Sequence, residues 1–357
     1  MIISKLTLRN FRNYDYAEIE FSPKLNLIVG DNAEGKTNIV EAIYFLSLAR
    51  SFRSLEINDL IKERRQFATI EARVDENTTH KDIVALMTTS HKKFTCNSKQ
   101  IRKYSELAQL VNVIVFEPKD TLLFADSPLI RRNFLDINIS KKSPVYLENL
   151  MVFEKLLKER NAILKNEEVD KIQLNVVTNQ LIKVQKEIVR YRSMYITEIN
   201  QVITKILYSL EGTGKSAEVI YEPFVAFDDN FEKKCARAYV RYVESDIKHK
   251  MTQLGIHRED FRFKLNGKDI ASQGSQGENR IAAIALKISP YFLIEDRDKK
   301  PIVILDDVMS ELDYPHRQRL LKFLSKMEQV FITATELKLT NASIYEVKKQ
   351  KITRRNA

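Results

Sequence analysis

The apolar positions of this chain follow two spacings, which divide it into sheet-forming and helix-forming stretches. Alternating apolar and polar residues predict antiparallel strands at 2–8, 17–21, 67–74, 82–88 and 93–96. Apolar residues at helical spacing predict two long helices, at 146–165 and 171–210, in a region that contains no glycine. The pattern therefore indicates an α/β chain with a mainly helical middle.

The change of pattern near residue 125 predicts an inserted domain. We expect residues 1–124 and 256–357 to form one discontinuous domain, and residues 125–255 to form a mainly helical arm. The chain would return from the arm through a hairpin of two strands, 260–265 and 268–271. The basic stretch 348–355 is interpreted as a frayed, solvated end of the chain.

Composition narrows the class of protein. The chain has 357 residues and no apolar run long enough to span a bilayer, and its two cysteines form neither a disulfide framework nor a zinc site. Lys5 lies where a signal peptide needs its apolar core, so we expect a cytoplasmic protein without a membrane partner. The net charge of +10 favours a polyanionic partner, although a lysine-rich solvated surface would produce the same balance.

Glycine is scarce, with eight in the chain, so the positions of the glycines are informative. Gly30 and Gly35 belong to a segment that follows a predicted buried strand at 25–29 and precedes a predicted helix. In this phosphate-loop pattern, backbone N–H groups surround the phosphates, Lys36 reaches the β- and γ-phosphates, and the Thr37 hydroxyl binds Mg²⁺. The predicted nucleotide-binding residues of this phosphate loop are Gly30, Asp31, Asn32, Ala33, Glu34, Gly35, Lys36 and Thr37.

A second segment, at 212–216, also ends in Gly-Lys-Ser but departs from the pattern. Ser209 occupies the position that the first glycine of a phosphate loop would need. The residues that follow, 217–221, alternate like a strand and do not begin a helix. We interpret this segment as a turn into a strand.

A buried strand with acidic residues at its end supplies the second half of the predicted site. The apolar run 302–305 leads directly into Asp306 and Asp307. We expect Asp306 to lie beside Thr37 as a magnesium ligand, and Asp307 to polarise the attacking water. The alternative is a parallel strand that simply ends in a solvated acidic turn.

A second helix end that could face an anion lies at 274–280, which we call the signature segment. It contains Ser275, Gly277 and Glu278 and leads into an alanine-containing helix at 281–287. The alternative is an ordinary serine cap on that helix. The Ser-Glu-Leu-Asp sequence at 310–313, directly after the paired acids, favours the interpretation as a phosphate site.

These motifs, in this order, resemble the ABC-type ATPase heads of chromosome-maintenance and repair proteins. The finer resemblance is to the RecF family of bacterial recombination proteins. The strings that carry it lie at 8–14, 116–120, 127–136, 158–161, 274–280 and 305–313. The resemblance implies an α/β fold, with an ABC-type P-loop ATPase head, an antiparallel β layer and a mainly helical inserted arm.

The resemblance also implies a function in recombinational repair and in the processing of replication gaps. ATP, with Mg²⁺, would drive a homodimer on DNA in which Ser275 caps the γ-phosphate held by the other chain, and slow, DNA-stimulated hydrolysis would reset it. The implied partners are duplex DNA, single/double-strand junctions or gaps, and the proteins RecR and RecO. Catalytic roles fall to Lys36, Asp307 and Ser275, and Arg12 is added to the nucleotide-binding residues.

The chain departs from these families at two positions. Asp307 stands where most ABC ATPases have glutamate, which suggests slow hydrolysis. Ile256, before His257, stands where the RecF family usually has proline, so a rigid turn made by that proline is not expected here.

Other functions are less consistent with these motifs. A transporter subunit would carry a switch histidine, where this chain has the threonines of 331–335. A chromosome tether would need a longer helical arm, and a P-loop kinase would not need the signature segment.

Overall fold

A computed structural model describes residues 1–54, 56–76, 79–103, 106–337, 339 and 341–355 of the chain. Contacts divide the chain into two compact units. The first unit comprises Met1–Thr121, Lys205–Gly214 and Arg280–Ala357, and the second comprises Leu122–Thr204 and Lys215–Asn279. Residues 356 and 357 of the predicted head lie outside the described residues.

The first unit contains an antiparallel sheet, as the alternating pattern predicted. Its strand order is β2-β1-β4-β5-β6-β7. The strands are β1 (Ile2–Phe11), β2 (Tyr14–Glu20), β4 (Phe67–Glu76), β5 (Thr79–Thr88), β6 (Lys92–Cys96) and β7 (Lys99–Ile101). Within β4, Ala68, Ile70, Ala72 and Val74 are buried while the residues between them are more exposed, so one face of the sheet covers a core.

A second, mainly parallel sheet in the same unit has the order β15-β14-β3-β13-β12-β8. Its strands are β3 (Lys24–Val29), β8 (Val113–Phe116), β12 (Ile302–Asp306), β13 (Gln329–Ala334), β14 (Ser343–Lys348) and β15 (Lys351–Arg355). The continuous apolar runs of β12 and β13 are buried throughout, as expected for central parallel strands. Because β3, β13 and β12 are parallel, their carboxyl ends meet at one edge.

Helices complete the first unit. They are α1 (Lys36–Leu48), α2 (Leu107–Leu110), α9 (Tyr314–Leu324) and most of α8 (Gln276–Phe292). The apolar residues of α1 share one buried cluster with residues of both sheets, including Leu6 and Ile70 of the antiparallel sheet and Ile304 and Phe331 of the parallel sheet. This packing fixes α1, and with it the loop that precedes it.

The C-terminal stretch corrects one of our predictions. Residues 351–355 do not fray but form β15, which pairs with β14 at the edge of the parallel sheet. The two turn residues, Lys349 and Gln350, both have positive φ, at 49° and 62°, as a two-residue hairpin turn requires. Lysine and arginine side chains along an edge strand also discourage pairing with other chains, so the basic composition suits a strand at this place.

The second unit is mainly helical, with a small sheet. Its helices are α3 (Pro128–Lys142), α4 (Pro144–Lys165), the greater part of α5 (Lys171–Glu211), α6 (Phe231–His249) and α7 (Ile270–Gln273). Its strands are β9 (Ala217–Glu222), β10 (Asp260–Leu265) and β11 (Lys268–Asp269), in the order β11-β10-β9. Ser127 and Ser143 cap α3 and α4, and a proline follows each of these serines, where its missing N–H costs nothing.

The grouping of residues near 256–279 differs from the predicted domain division. These residues belong to the second unit and not to the first, because β10 pairs with β9 from Asp260↔Glu222 to Leu265↔Ala217. The second strand of the predicted hairpin is also shorter than expected, since α7 begins at Ile270. That residues 125–255 form a separate inserted domain remains a prediction.

Ion pairs of two buried arginines connect the string at 127–136 with other parts of the second unit. Arg192 is 2% exposed, and its guanidinium contacts Glu259 at 2.7 Å and Asp136 at 2.8 Å. Arg131 forms a two-pronged pair with Asp260, with distances of 2.7 and 2.8 Å. The string at 127–136 therefore meets Glu259 and Asp260 within the second unit.

Among the described helices, none combines the length and apolarity needed to cross a membrane.

Candidate nucleotide-binding site

The phosphate loop lies between the end of β3 and the start of α1, where its glycines allow backbone conformations that other residues avoid. Gly30 has a φ of 156° and Gly35 a φ of 109°. A Cβ atom on Gly30 would overlap the carbonyl oxygen of Val347, and one on Gly35 would lie 2.7 Å from Asn13 Nδ2. Both positions thus require glycine for the loop to keep this shape.

Lys36 begins α1 and turns its ammonium group back into the loop. Its Nζ donates to the carbonyl oxygen of Gly30 at 2.6 Å and to that of Asp31 at 2.8 Å. Burial lowers the pKa of Lys36, and the nearby carboxylates, first Asp307 and then Asp306, oppose this shift. The loop therefore contains a positive charge surrounded by backbone groups, which suits an anion with several oxygen atoms.

Asp306, the last residue of β12, and Asp307, which follows it, lie near the Lys36 ammonium, and a hydroxyl group of the loop binds Asp306. Thr37 Oγ1 donates to Asp306 Oδ1 at 2.9 Å, so the adjacency expected from the sequence is present. Thr333, fully buried on β13, donates to the same carboxylate oxygen at 2.7 Å. The Thr333 oxygen also accepts the backbone N–H of Asp307 at 2.9 Å, and Asp307 has a φ of 53°. One hydroxyl thus connects both acids.

Opposing effects act on the pKa of Asp306. Burial of its carboxyl group raises the pKa, whereas the hydrogen bonds from Thr333 and Thr37 lower it. The Thr37 hydroxyl and the Asp306 carboxylate are hard oxygen ligands, and Mg²⁺ commonly uses one or two such protein groups together with phosphate oxygens and water. These two residues therefore fit a magnesium ion.

The middle of the phosphate loop contacts solvent and the C-terminal hairpin. Asp31, Asn32 and Ala33 are exposed. The Glu34 side chain accepts the backbone N–H of Lys349, in the turn between β14 and β15. The hairpin of β14 and β15, whose second strand was expected to fray, thus contacts the phosphate loop through Glu34. It also forms one wall of a cavity of about 740 Å³ that opens beside Gly30 and Asp31.

Arg12 lies behind the loop and contacts α1. Its guanidinium donates to the fully buried carboxylate of Glu41 on α1 and to the carbonyl oxygen of Asp59. Arg53, which the sequence analysis did not identify, lies 3.7 Å from the same carboxylate and donates to Asn38 Oδ1 at 2.9 Å. Only its position after α1, in a polar and basic stretch, could have suggested it.

Ser275, Gly277 and Glu278 belong to the second unit, where Ser275 precedes α8 and the other two lie in its first turn. Glu278 Oε2 accepts the backbone N–H of Ser275 at 2.8 Å, and Ser275 Oγ accepts the backbone N–H of Glu278 at 3.2 Å. This reciprocal arrangement is a capping box. The serine cap considered as the alternative is thus present, and Ser275 is also exposed.

Gly274 and Gly277 differ in the space that their own chain leaves for a Cβ atom. A Cβ atom on Gly274 would come within 2.6 Å of the carbonyl oxygen of Ile270, so the fold requires glycine there. Around Gly277, no described heavy atom lies within 4 Å of the place that a Cβ would occupy. The fold of this chain therefore gives no reason for a glycine at residue 277.

The chain is similar over nearly its whole length to known proteins. The family described as the RecF/RecN/SMC N terminal domain matches residues 2–355. The DNA replication and repair protein RecF of Geobacillus kaustophilus is 34% identical, over 99% of this chain and 99% of its own length. The protein of the same name from Bacillus subtilis is 34% identical, over 94% of each chain.

Solved structures agree with this relationship. A structure of the recombination mediator protein RecF-ATPrS in the RecFOR pathway has a TM-score of 0.91 and 29% identity, covering 99% of this chain and 98% of that one. The corresponding RecF-ATP structure has a TM-score of 0.89 and 28% identity, covering 99% and 97%. An Smc head domain bound to the C-terminal domain of Pyrococcus furiosus ScpA has 18% identity and a TM-score of 0.58, covering 99% and 96%.

The predicted fold class is therefore confirmed: the chain has the fold of an ABC-type ATPase head, with an antiparallel sheet and a helical arm. From the match over residues 2–355 and the identity of 34% over almost the full length, we conclude that this chain belongs to the family of the DNA replication and repair protein RecF.

Proposed function

We propose that this chain is an ATP-driven switch of DNA repair, which dimerises when it binds ATP and then holds DNA. The observation that carries the proposal is the phosphate loop at the end of a parallel sheet: the Lys36 ammonium lies within hydrogen-bond distance of the loop carbonyls, and Thr37 donates to Asp306 at 2.9 Å. The RecF relatives, described as DNA replication and repair proteins, support a function of this class.

ATP would bind with its phosphates in the loop between β3 and α1. The Lys36 ammonium would exchange the carbonyl oxygens of Gly30 and Asp31 for phosphate oxygens. Thr37 and Asp306 would hold Mg²⁺, which when bound neutralises charge on the β- and γ-phosphates. The RecF structures named for ATP support this choice of nucleotide.

Hydrolysis would depend on Asp307. Its backbone is held by Thr333 in a left-handed conformation, directly after the strand that carries Asp306. In this role the Asp307 carboxylate orients the attacking water. Aspartate is one methylene shorter than the glutamate of most ABC ATPases, so we expect slow, DNA-stimulated turnover that resets the switch.

Dimerisation would bring the signature segment of one chain to the phosphate loop of the other. Ser275 is exposed at a helix N-terminus, and the empty space around Gly277 would let a second chain approach closely. Because the same two surfaces are used twice, such a dimer has a two-fold axis and two equivalent nucleotide sites. Arg12 would act on the nucleotide indirectly, through its contact with Glu41 on α1.

The proposed partners are DNA at single/double-strand junctions or gaps, and the proteins RecR and RecO. The net charge of +10 supports a nucleic-acid partner, and the structures described for the RecFOR pathway support the choice of proteins. We propose a cytoplasmic location, in keeping with these partners.

Sedimentation of the full chain with and without Mg-ATP tests the proposal. We expect a monomer that becomes a dimer with Mg-ATP, and a Lys36→Arg variant that stays monomeric because a guanidinium cannot replace the ammonium in the loop. Asp307→Asn should dimerise and persist as a dimer, since it binds ATP without orienting water. A wild-type chain that binds Mg-ATP but remains monomeric would contradict the proposal.

Mixed dimers test whether each site is shared between chains. Ser275→Arg should bind ATP as a monomer but fail to dimerise, because a long cation would occupy the junction. In a mixture with Lys36→Arg, each heterodimer has one doubly defective site and one intact site. Partial ATPase activity should therefore return in heterodimers isolated with two affinity tags, and its absence would exclude independent shared sites.

A further inference from the structure

The lysine of the segment 212–216, set aside in the sequence as a false phosphate loop, contacts the signature segment. Lys215 Nζ donates to Glu278 Oε1 at 2.8 Å, and both side chains are less than one-third exposed. The other carboxylate oxygen of Glu278 accepts the Ser275 N–H of the capping box. Lys215 thus contacts the residue that holds Ser275 in place, although 63 positions separate it from Glu278.

The backbone beside Lys215 is fixed by the small sheet of the second unit. Ser216 donates its N–H to Asn266 Oδ1 at 2.9 Å, and the N–H of Asn266 returns a hydrogen bond to the Ser216 carbonyl at 2.9 Å. The next pair in the ladder is Ala217↔Leu265. The position of the lysine therefore follows from strand pairing and does not depend on a freely moving loop.

The charges of Lys215 and Glu278 matter because, in the proposed dimer, a nucleotide phosphate held by the other chain would approach them. A carboxylate in the first turn of a helix stabilises the helix itself, but it repels an incoming phosphate. A lysine in contact with that carboxylate cancels the repulsion and keeps the capping geometry. The pKa of Glu278 is lowered to about 2, first by the hydrogen bond from Lys215 and then by those from Ser275, so the carboxylate is ionised at neutral pH.

We infer that Lys215 is a positioning residue of the nucleotide site shared between two chains: it holds Glu278 in the cap around Ser275 and neutralises its charge where the γ-phosphate would arrive. This inference rests on the proposed ATP-driven dimer. It assigns a role in that dimer to a segment that the sequence does not predict to bind phosphate itself.

The first test compares Lys215→Met with Lys268→Met, which alters an exposed lysine of the neighbouring hairpin. Lys215→Met leaves the charge of Glu278 without its partner beside the incoming phosphate, which should weaken each shared site roughly fivefold. With two sites per dimer, the dimer dissociation constant in Mg-ATP should rise about twenty-fivefold for Lys215→Met. It should not change for Lys268→Met, and Lys215→Arg should restore most of the loss.

The second test combines Lys215→Met with Glu278→Gln, whose amide oxygen can still accept the Ser275 N–H. If Lys215 acts by neutralising Glu278, the double variant should dimerise nearly as well as wild type. Glu278→Gln alone should dimerise at least as tightly as wild type. The affinity of monomers for a fluorescent ATP analogue should be unchanged in all variants, because the nucleotide lies on each chain's own phosphate loop.

The outcomes separate this inference from the proposed function. If the wild type dimerises with Mg-ATP and Lys215→Met does so equally well, the inference is wrong and the proposed function stands. If the single variant is defective and the double variant is no better, Lys215 does not act through Glu278 and the inference is again wrong. If the wild type binds Mg-ATP and never dimerises, the proposed function and the inference fail together.

Discussion

At the scale of single residues, the arrangement around Asp306 depends on hydroxyl groups as much as on the acids. A buried carboxylate needs hydrogen-bond donors to remain ionised, and Thr37 and Thr333 supply them. The Thr333 oxygen also accepts the N–H of Asp307, whose backbone has a left-handed conformation with a φ of 53°. Thr333 therefore sets the geometry of two acids that have different proposed roles.

Thr333→Val should test this role, because valine has nearly the same shape and no hydroxyl. The change leaves a buried carboxylate oxygen and an N–H with one partner fewer each, so we expect a loss of about 3 kcal/mol in the free energy of unfolding. It should also raise the pKa of Asp306 further and weaken Mg²⁺-dependent nucleotide binding. Urea unfolding measures the change in the free energy of unfolding, and nucleotide titration with and without Mg²⁺ measures the change in binding.

Thr333→Ser provides the matched control, since it keeps the hydroxyl and removes only a methyl group. We expect it to cost about 1 kcal/mol and to leave the magnesium dependence unchanged. Equal losses in the serine and valine variants would show that packing, and not the hydroxyl, is what matters at this position.

At the scale of elements, Gly277 in the first turn of α8 is required by the proposed dimer and not by the fold of the single chain. Gly277→Ala should stabilise the isolated chain by up to about 1 kcal/mol, because alanine favours helix and its Cβ meets no described atom within 4 Å. The same Cβ should obstruct a second chain and weaken ATP-driven dimerisation roughly tenfold. The midpoint of thermal unfolding should therefore rise, whereas the dimer affinity in Mg-ATP, measured by sedimentation, should fall.

The capping box also predicts a dependence on pH. Because the pKa of Glu278 is lowered to about 2, ionisation of its carboxyl group stabilises the folded state above its ordinary pKa of 4.5. This contribution is lost as the pH falls from 4.5 through about 2. NMR titration of Glu278 should give the low pKa in the wild type and a higher one in Lys215→Met; equal values would mean that Lys215 has no electrostatic effect on it.

In the second unit, the ion pairs of the buried Arg192 should contribute strongly to the free energy of unfolding. Arg192→Leu would leave Glu259, which is 2% exposed, without its charged partner, so we expect a loss of about 4 kcal/mol in denaturant unfolding. The control is Lys142→Ala, which removes an ion pair with Glu198 on the surface and should cost at most about 1 kcal/mol. Similar losses in the two variants would contradict this assignment.

At the scale of the whole molecule, charge sets the expected behaviour on DNA. Contacts between a basic protein and phosphates release counterions, so binding weakens steeply with salt and carries little sequence information. The net charge of +10 is compatible with such contacts. In the proposed dimer, two chains of this net charge would contact one duplex, which couples DNA affinity to ATP.

We therefore expect DNA binding in Mg-ATP to fall about a thousandfold between 50 and 200 mM salt if about six phosphates are contacted. Without ATP, the affinity should be lower at every salt concentration. Fluorescence anisotropy with a labelled duplex and a gapped duplex measures both effects. Affinity that is independent of ATP, with the same slope against salt, would argue against the coupling.

The sequence by itself was sufficient to predict the features that local chemistry demands. The phosphate loop follows from two glycines, Lys36 and Thr37 at fixed spacing between a strand and a helix. The buried strand that ends in Asp306 and the alternating strands of the antiparallel sheet follow from periodicity, because burial of one face or both faces leaves a pattern in consecutive residues. The family resemblance rests on these same local strings.

Only the tertiary structure decided which distant residues meet. Nothing local to residues 348–355 indicates that they pair at a sheet edge and hold Glu34. The contacts of Thr333 with two acids and of Lys215 with Glu278 each join parts of the chain far apart in sequence. The pairing of β10 with β9 likewise assigns residues 260–265 to the second unit. Such contacts depend on packing and on which strands pair with each other by hydrogen bonds. A local sequence pattern does not predict either of these.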